Sequence, residues 1–236
     1  LSLTSNGSRF PILAKKLKEA GLNRITLSLD SLNHKNFRRI TGSDGLDNII
    51  ESIDLAKALD LSPIKVNAVI IRGINDQEIE SLVEFSIRKN IIIRMIEFMP
   101  LDSGRTWQRK HVVPGEEIIN RIKSKFSITR LPSQNLSETA TRWSIGKGDA
   151  EIGIIAPVTK PFCGNCNRIR LTSDGKVRTC LFSLHEHDLK SMLRDGSSNS
   201  KLESRIKDIV LKKESGHRID KPEFIQPKRT MSCIGG

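Results

Sequence analysis

Aromatic residues are scarce in this sequence, which has eight Phe, two Trp and no Tyr among 236 residues. Single-stranded nucleic acids bind where their bases can stack on exposed rings, so this shortage argues against a nucleic-acid partner. The 39 Lys and Arg residues outnumber the 27 Asp and Glu residues, and the net charge of +12 attracts anions. We therefore expect a small polyanion, such as a nucleotide, as the ligand.

Long hydrophobic runs are also absent. No segment approaches the ~18 uninterrupted apolar residues of a membrane span, and residues 1–20 lack the charged, apolar and cleavage regions of a secretory signal peptide. We expect no membrane partner and a cytoplasmic location, or a mitochondrial one in a eukaryote. No methionine precedes Met95 and the chain opens on Leu1, as if inside a strand, so we expect a fragment or a trimmed chain.

Strand-like and helix-like segments alternate in the first half of the chain. The segments 24–30, 65–71 and 91–98 are short and rich in β-branched residues, and periodic helical segments precede each of them. Residues 75–78 (NDQE) have the form of a capping box that opens the last of these helices. A repeated βα order predicts a parallel sheet with right-handed crossovers, whose apolar strands are covered on both faces as in a barrel.

The pattern changes after residue 113. A helix over 116–126, a polar stretch, a strand over 151–157, a cysteine-bearing hairpin and two helices over 189–194 and 202–212 follow. We expect two domains, 1–112 and 113–236.

The four cysteines all lie in the last third of the chain, and such clustering without a secretory context favours a metal site over disulfide bonds. Three of them form a C-x2-C-x13-C pattern, which suits an iron-sulfur cluster with three protein ligands or a zinc ion with a fourth ligand. The three are Cys163, Cys166 and Cys180, and the candidate fourth zinc ligands are His185, His187 and Cys233.

The Asp174-Gly175 pair predicts a hairpin that returns Cys180 to the side of the first two cysteines. A two-residue turn would place Ile169 opposite Cys180, and a bulged three-residue turn would shift this pairing by one residue. Arg168 and Arg170 flank the site, and because a guanidinium group matches the geometry of a phosphate, we interpret them as anion-binding residues.

These segments together resemble a known family. The resemblance is to the MoaA family, the radical S-adenosylmethionine (SAM) GTP 3′,8-cyclases of molybdenum cofactor biosynthesis, and it runs in family order over essentially the whole chain. The most specific part is the FCGNCNRIR segment at 162–170 together with TCLF at 179–182 and the terminal Gly-Gly. The weaker matches are TSNG at 4–7, SLD at 28–30, KVN at 65–67 and RMIEFM at 94–99.

The resemblance implies an α/β fold: a partial (β/α)6 TIM-like radical SAM barrel without its N-terminal strands, followed by an α+β C-terminal iron-sulfur domain. It also implies SAM and two 4Fe-4S clusters as cofactors, and GTP as the substrate. The second cluster would be held by Cys163, Cys166 and Cys180, with one iron open to the guanine base. The family's product is (8S)-3′,8-cyclo-7,8-dihydroguanosine 5′-triphosphate, formed after a 5′-deoxyadenosyl radical removes the ribose C3′ hydrogen.

Carried over by motif, the resemblance implies three further groups of site residues. SAM would contact Ser28 and Met99, and the glycine tail, Gly235 and Gly236, would enter the active site as its catalytic end. The GTP-binding residues would be Thr4, Lys65, Arg94, Arg168, Ile169 and Arg170. An electron donor, a downstream cyclic pyranopterin monophosphate synthase and a second copy of the chain in a homodimer are the further partners that we expect.

One departure from the family is large. The first cluster requires a C-x3-C-x2-C loop, yet no cysteine precedes Cys163, and the glycine-rich SAM-binding segment is absent as well. We therefore expect this chain alone not to cleave SAM, and we assign the activity to the parent protein.

Two alternatives stay open. A peptide-modifying radical SAM enzyme would also combine a barrel with an auxiliary cluster domain. A basic zinc-containing nucleic-acid-binding module would use the positive charge and a Cys3His site.

Overall fold

The computed structural model describes residues 1–102, 104–148, 150–219 and 221–234. They form two compact units: residues 1–98 with 109–160, and residues 99–108 with 161–236. None of the helices described is long and apolar enough to cross a membrane.

The first unit is built on one seven-stranded sheet in the order β1-β2-β3-β4-β7-β6-β5. Strands β1 to β4 and β7 are parallel, and β6 and β5 add antiparallel pairs at one edge. The predicted parallel α/β architecture is confirmed, and the described strands make an open sheet with β1 and β5 at its edges. The strands are β1 Ser2–Ser5, β2 Arg24–Ser28, β3 Lys65–Ile70, β4 Ile92–Glu97, β5 Ile128–Arg130, β6 Thr141–Ile145 and β7 Ala150–Ile155.

Five helices belong to this unit, and local signals explain several of their ends. The Asn33 side chain accepts hydrogen bonds from the N–H groups of Lys35 and Asn36 at the start of α2, and Gly42, with φ +71°, ends that helix. The helices are α1 Phe10–Glu19, α2 His34–Thr41, α3 Leu46–Ala58, α4 Ile79–Lys89 and α5 Gly115–Lys125.

The capping box predicted at residues 75–78 is wrong. A 3-10 turn, Asp76–Glu78, precedes α4, and the Asn75 side chain makes no cap. Its amide instead donates to the carbonyl groups of Asp30 and Val69, and its Oδ1 accepts from the Ile71 N–H. Asn75 is fully buried, so these tertiary partners satisfy its polar atoms in place of the helix start.

The two faces of the parallel strands differ sharply. Side chains on one face are buried under the helices. The other face, here called the polar face, carries most of the polar side chains together with Val69, Ile92 and Ile96, so the full burial predicted for both faces is found on one alone among the described residues. The segment KVNAVI shows the reason, because it alternates strictly between the two faces. The buried face includes Ile25, Leu27, Val66, Ala68, Ile93 and Met95.

Glu97, the last residue of β4, is fully buried and joins three parts of this unit. Its Oε1 accepts a hydrogen bond from the N–H of Gly115, the first residue of α5, at 2.7 Å. Its Oε2 accepts from the N–H groups of Val158 and Thr159, beyond β7, at 2.8 and 2.9 Å, and the Thr159 hydroxyl donates to Oε1. The carboxylate therefore ties β4, α5 and the segment after β7 together.

The second unit is smaller and contains the cysteines. Its sheet has the order β10-β9-β8, and β9, α6 and α7 share a small core of Val177, Leu189 and Ile209 with Leu202 packed against it. Its elements are β8 Arg170–Leu171, β9 Lys176–Arg178, β10 His187–Asp188, α6 Lys190–Arg194 and α7 Asn199–Leu211.

Two registers of the β8–β9 hairpin were considered from the sequence, and the structure has the one that is shifted by one residue. Arg170 pairs with Arg178 and Leu171 with Val177, so three residues, 173–175, form the loop. Gly175 has φ +82°, the left-handed conformation that closes such a bulged turn.

The helix and the strands that follow residue 113 pack in the first unit, because β7 pairs in parallel with β4. The predicted domain boundary between residues 112 and 113 stays a prediction.

Candidate functional site

The polar face of the large sheet brings four of the predicted site residues together. Thr4 pairs with Thr26, and Thr26 pairs with Lys65, so these three residues lie side by side in one row of the sheet. Two residues further along the strands, and therefore on the same face, a second row contains Ser28, Asn67, Arg94 and Gly153. Thr4, Ser28, Lys65 and Arg94 thus share one face, and Ser28 is the last residue of its strand.

Neighbouring side chains fix the position of Arg94. Its Nε donates to the Asn67 Oδ1 at 2.9 Å, and its Nη2 lies 3.5 Å from the Thr26 Oγ1. A Cβ on Gly153 would lie 3.1 Å from the Arg94 Cγ, so the glycine leaves the space across which the arginine extends. Burial lowers the pKa of Arg94.

Lys65 lies at the start of β3, one strand away from Arg94. Burial and then the charge of Arg94 lower the pKa of Lys65, although the charge of Glu151 acts in the opposite direction. Glu151 is itself paired with Arg142 at 2.7 Å. Within the described ranges, neither Lys65 nor Arg94 forms an ion pair with a carboxylate, so both cations are available to an anion.

An open cavity of about 550 Å³ lies over these cations. Its wall is mainly polar and is completed by the segment before β6. The residues that line it include Lys65, Arg94, Ser137, Glu138, Arg142 and Gly153.

Met99, the second residue after β4, belongs to the second unit. Its contact with SAM therefore stays a prediction, as does that of Ser28.

The three predicted cluster ligands are free thiols at half-buried positions. Cys163 begins a 3-10 turn, Cys163–Asn165, and the Cys166 N–H donates to the Cys163 carbonyl group at 3.0 Å. Cys180 follows β9 at an interval of two residues, and burial raises the pKa of its thiol. Cys233, the reserve zinc ligand, is exposed.

Arg168 acts directly on the nearest thiol. Its Nη2 lies 3.4 Å from the Cys166 Sγ, and its guanidinium group lies over the Phe162 ring at 5.2 Å. Burial alone would raise the pKa of Cys166, but the hydrogen bonds and charge of Arg168, together with the charge of Lys213, outweigh it and lower that pKa. In the part of the chain that the structure describes, the buried Nε of Arg168 has no acceptor.

Arg170 lies on the hairpin close to Arg168, Cys166 and Cys180. Burial and then the charge of Arg168 lower its pKa, whereas Cys180 and Cys166 raise it. The paired Arg178 is only 2% exposed and is neutralised by Glu186 at 2.7 Å.

Arg170 itself has no carboxylate partner among the described residues. Ile169, between the two predicted anion-binding arginines, is 47% exposed.

The donor set of this region suits a thiolate-bound cluster, because three free thiols lie in a region that also contains the positive charges of Arg168, Arg170 and Lys213. The described side chains form no group of three or more His, Cys, Asp or Glu in a metal-binding arrangement. The three thiols therefore have the right chemistry without a closed ligand geometry.

Sequence reasoning missed two features of the second unit. The segment 213–216, after α7, contacts the backbone beside Cys166 and the backbone beside Cys180, and Arg229 pairs with Asp174 and Glu186. Neither lies in a recognisable motif, so only the tertiary contacts reveal them. Gly235 and Gly236 lie outside the described residues.

Comparison with known proteins matches both halves of the chain to known families. Residues 1–86 match the Radical SAM superfamily, and residues 91–219 match the family Molybdenum Cofactor Synthesis C. A GTP 3′,8-cyclase of Rhodopirellula baltica is 41% identical over the whole of this chain and 67% of its own length. This chain belongs to the GTP 3′,8-cyclase family. Further relatives of that name, from Corynebacterium glutamicum strain R and Mycolicibacterium smegmatis, are 41% and 38% identical, again over the whole chain.

The chain spans about two thirds of the length of these relatives, with 64 to 67% of each covered. Membership of the radical SAM superfamily implies a 4Fe-4S cluster and SAM as cofactors. Residues 1–162 contain no cysteine, so the thiols that this chain of the GTP 3′,8-cyclase family can offer to a cluster are those of the second unit.

Proposed function

We propose that the full protein is a GTP 3′,8-cyclase that converts GTP to (8S)-3′,8-cyclo-7,8-dihydroguanosine 5′-triphosphate in molybdenum cofactor biosynthesis. The observation that carries the proposal is the pair Lys65 and Arg94, two half-buried cations on the polar face of a parallel sheet without a carboxylate partner among the described residues. GTP is the polyanion that the relatives' common name specifies.

The triphosphate would bind across Lys65 and Arg94. Burial and mutual repulsion weaken the charged form of Lys65 in the free protein, and a bound polyanion would remove this unfavourable interaction. The Arg94 guanidinium is held by Asn67 and so is oriented before the ligand arrives. The Thr4 hydroxyl, two strands away from Lys65 in the same row, would add a neutral hydrogen bond.

The second unit has its own candidate binding residues. Arg168 and Arg170 place two further positive charges beside the thiols, with Ile169 exposed between them. Cys163, Cys166 and Cys180 would hold the second 4Fe-4S cluster, which when bound supplies an iron coordination position for the guanine base. The unsatisfied Nε of Arg168 is a donor for an anion at this place.

The remaining parts of the reaction lie with other groups. Ser28 and Met99 would position SAM, which together with a first 4Fe-4S cluster supplies the hydrogen-abstracting radical. The tail residues Gly235 and Gly236 would approach the reacting nucleotide, where a chain without side chains allows the closest contact. An electron donor, a cyclic pyranopterin monophosphate synthase that takes the product, and a homodimeric partner complete the proposal.

Anaerobic GTP binding to the reconstituted full-length protein tests the site. Lys65→Met and Arg94→Met should each weaken GTP affinity about ten- to a hundredfold, since a charge-assisted hydrogen bond contributes ~1.5 to 3 kcal/mol. Lys15→Met is the matched control, because Lys15 is exposed and lies on α1. Unchanged affinity in both variants would refute the triphosphate site.

Metal analysis separates the proposal from its alternatives. Four irons and four sulfides lost on Cys180→Ala would support the second cluster. One zinc without sulfide, combined with salt-dependent nucleic-acid affinity, would favour the nucleic-acid-binding module instead. Saturable peptide binding without GTP binding would favour a peptide-modifying enzyme.

A further inference from the structure

The four residues 213–216, with the sequence KESG, follow α7 and contact both cysteine-bearing segments of the second unit. Helix α7 is held in place by the core of the second unit, in which its Ile209 is 1% exposed and packs with Val177 of β9. The Lys213 N–H continues the end of this helix by donating to the Val210 carbonyl group at 3.1 Å. The segment therefore starts from a fixed base.

Lys213 joins the two chain segments that flank the β8–β9 hairpin. Its Nζ donates to the Arg168 carbonyl group at 3.0 Å and also to the Thr179 carbonyl group. Arg168 lies two residues after Cys166, and Thr179 immediately precedes Cys180. One ammonium group thus fixes the distance between the backbones that bear these two thiols, and it does so outside the short β8–β9 ladder, which ends at Arg170 and Arg178.

Two further residues of the segment, Glu214 and Gly216, contact the same cysteine-bearing region. The Thr179 hydroxyl, which is 1% exposed, donates to the Glu214 carboxylate at 2.6 Å. Gly216 lies against the third cysteine: a Cβ at this position would be 3.0 Å from the Cys163 Cβ and 3.5 Å from its Sγ. Segment 213–216 therefore contacts Cys163 itself and a residue within two positions of both Cys166 and Cys180.

We infer that Lys213 is the positioning residue of the cysteine site: it bridges the backbone beside Cys166 to the backbone beside Cys180 and so limits how far apart these two thiols can move. The inference rests on the proposed function in so far as the thiols hold an iron-sulfur cluster. An ammonium group suits this role because it offers three donors to carbonyl groups and places a positive charge beside a site whose thiolate ligands are negative.

The test compares Lys213→Met with Lys212→Met in the full-length protein. Lys212 is the exposed neighbour at the end of α7, so the control removes the same charge one residue away without removing the bridge. Loss of cluster iron to an external chelator is the first readout, with Cys180→Ala as the baseline that lacks the second cluster. Lys213→Met should lose iron about tenfold faster than wild type, the effect of one charge-assisted hydrogen bond. Lys212→Met should match wild type, and Lys213→Arg should recover part of the difference.

The second readout needs no cluster. In metal-free protein with Cys163→Ser and Cys233→Ser, a reagent that fluoresces on bridging two thiols should join Cys166 and Cys180, a pair that peptide mapping identifies, several-fold less when Lys213→Met is added. Hydrogen exchange at Val177 and Ile209 shows whether the core of the unit is intact in each variant. If Lys213→Met disturbs that core, Lys213→Arg is compared with Lys212→Arg instead.

Two results would overturn the inference: wild-type bridging in Lys213→Met, or equal losses in Lys212→Met and Lys213→Met. If the wild-type protein takes up zinc or no metal, the proposed function fails, and the bridging measurement still decides the role of Lys213.

Discussion

Removal of the Glu97 carboxylate should be among the most damaging single changes in the first unit. Three backbone N–H groups and one hydroxyl converge on its two oxygens. Glu97→Gln replaces one of these oxygens with an amide that is itself a donor, so the donors that face it lose their acceptor. Each unsatisfied buried N–H costs ~1 to 3 kcal/mol, and after partial relaxation we expect a loss of about 3 to 5 kcal/mol.

Amide hydrogen exchange of Gly115, Val158 and Thr159 is the most direct assay, because a two-unit protein need not unfold in a single transition. These three amides should exchange faster in Glu97→Gln, and the urea midpoint of the first unit should fall. Glu116→Gln is the control, since Glu116 is exposed on the same helix. Thr159→Val, which removes only the hydroxyl donor, should cost about 1 kcal/mol. A loss below about 1 kcal/mol in Glu97→Gln, with protection of the three amides retained, would refute this account.

Three further changes have defined outcomes. Burial raises the pKa of Asp30 to about 6, although a hydrogen bond from the Val69 N–H acts in the opposite direction. Between about pH 4 and 6 the native state therefore binds more protons than the unfolded state. The free energy of unfolding should fall by about 2 to 3 kcal/mol as the pH rises through that window. Asp30→Asn should abolish this dependence in urea titrations, and an unchanged slope would contradict the pKa shift. Gly175→Ala should destabilise the second unit in thermal unfolding, because φ is +82° and a Cβ would lie 2.6 Å from the Lys190 Cβ, whereas Gly164→Ala, which meets nothing within 4 Å, should be tolerated. The Arg229 side chain holds the pKa of Asp174 below its usual range through a hydrogen bond; Arg229→Gln should raise that pKa in an NMR titration, and no change would exclude the pair in solution.

Hydrophobic periodicity predicted strands β2 to β4 and helices α1, α3 and α4 in their order, because each of these strands is short and is preceded by a helical repeat. It did not predict α2, whose one buried residue, Phe37, gives no apolar repeat. It could not show that the polar members of those strands remain half-buried on one face. Asn67 and Lys65 look like interruptions of an apolar strand in the sequence, and in the structure they lie half-buried on the face that carries the candidate site.

The contacts that position the site were beyond sequence reasoning for a different reason. Glu97, Asn75 and Lys213 each form a hydrogen bond with at least one backbone group that lies 18 or more residues away in the sequence. No local pattern marks such a residue, since a buried carboxylate or amide has the same one-letter code as an exposed one. The hairpin between the cysteines, by contrast, could be predicted because its Asp174-Gly175 turn is a local signal.

The three-residue loop between β8 and β9 determines whether this hairpin tolerates substitutions or changes in length. Deleting or inserting one loop residue would slip the pairing of Arg170 against Arg178 and turn every side chain of one strand to the opposite face. Exchanging Ser173 for another polar residue would leave the pairing intact. Natural variants should therefore differ here by substitution, and alignment gaps should accumulate in segments outside the ladders, such as residues 132–139.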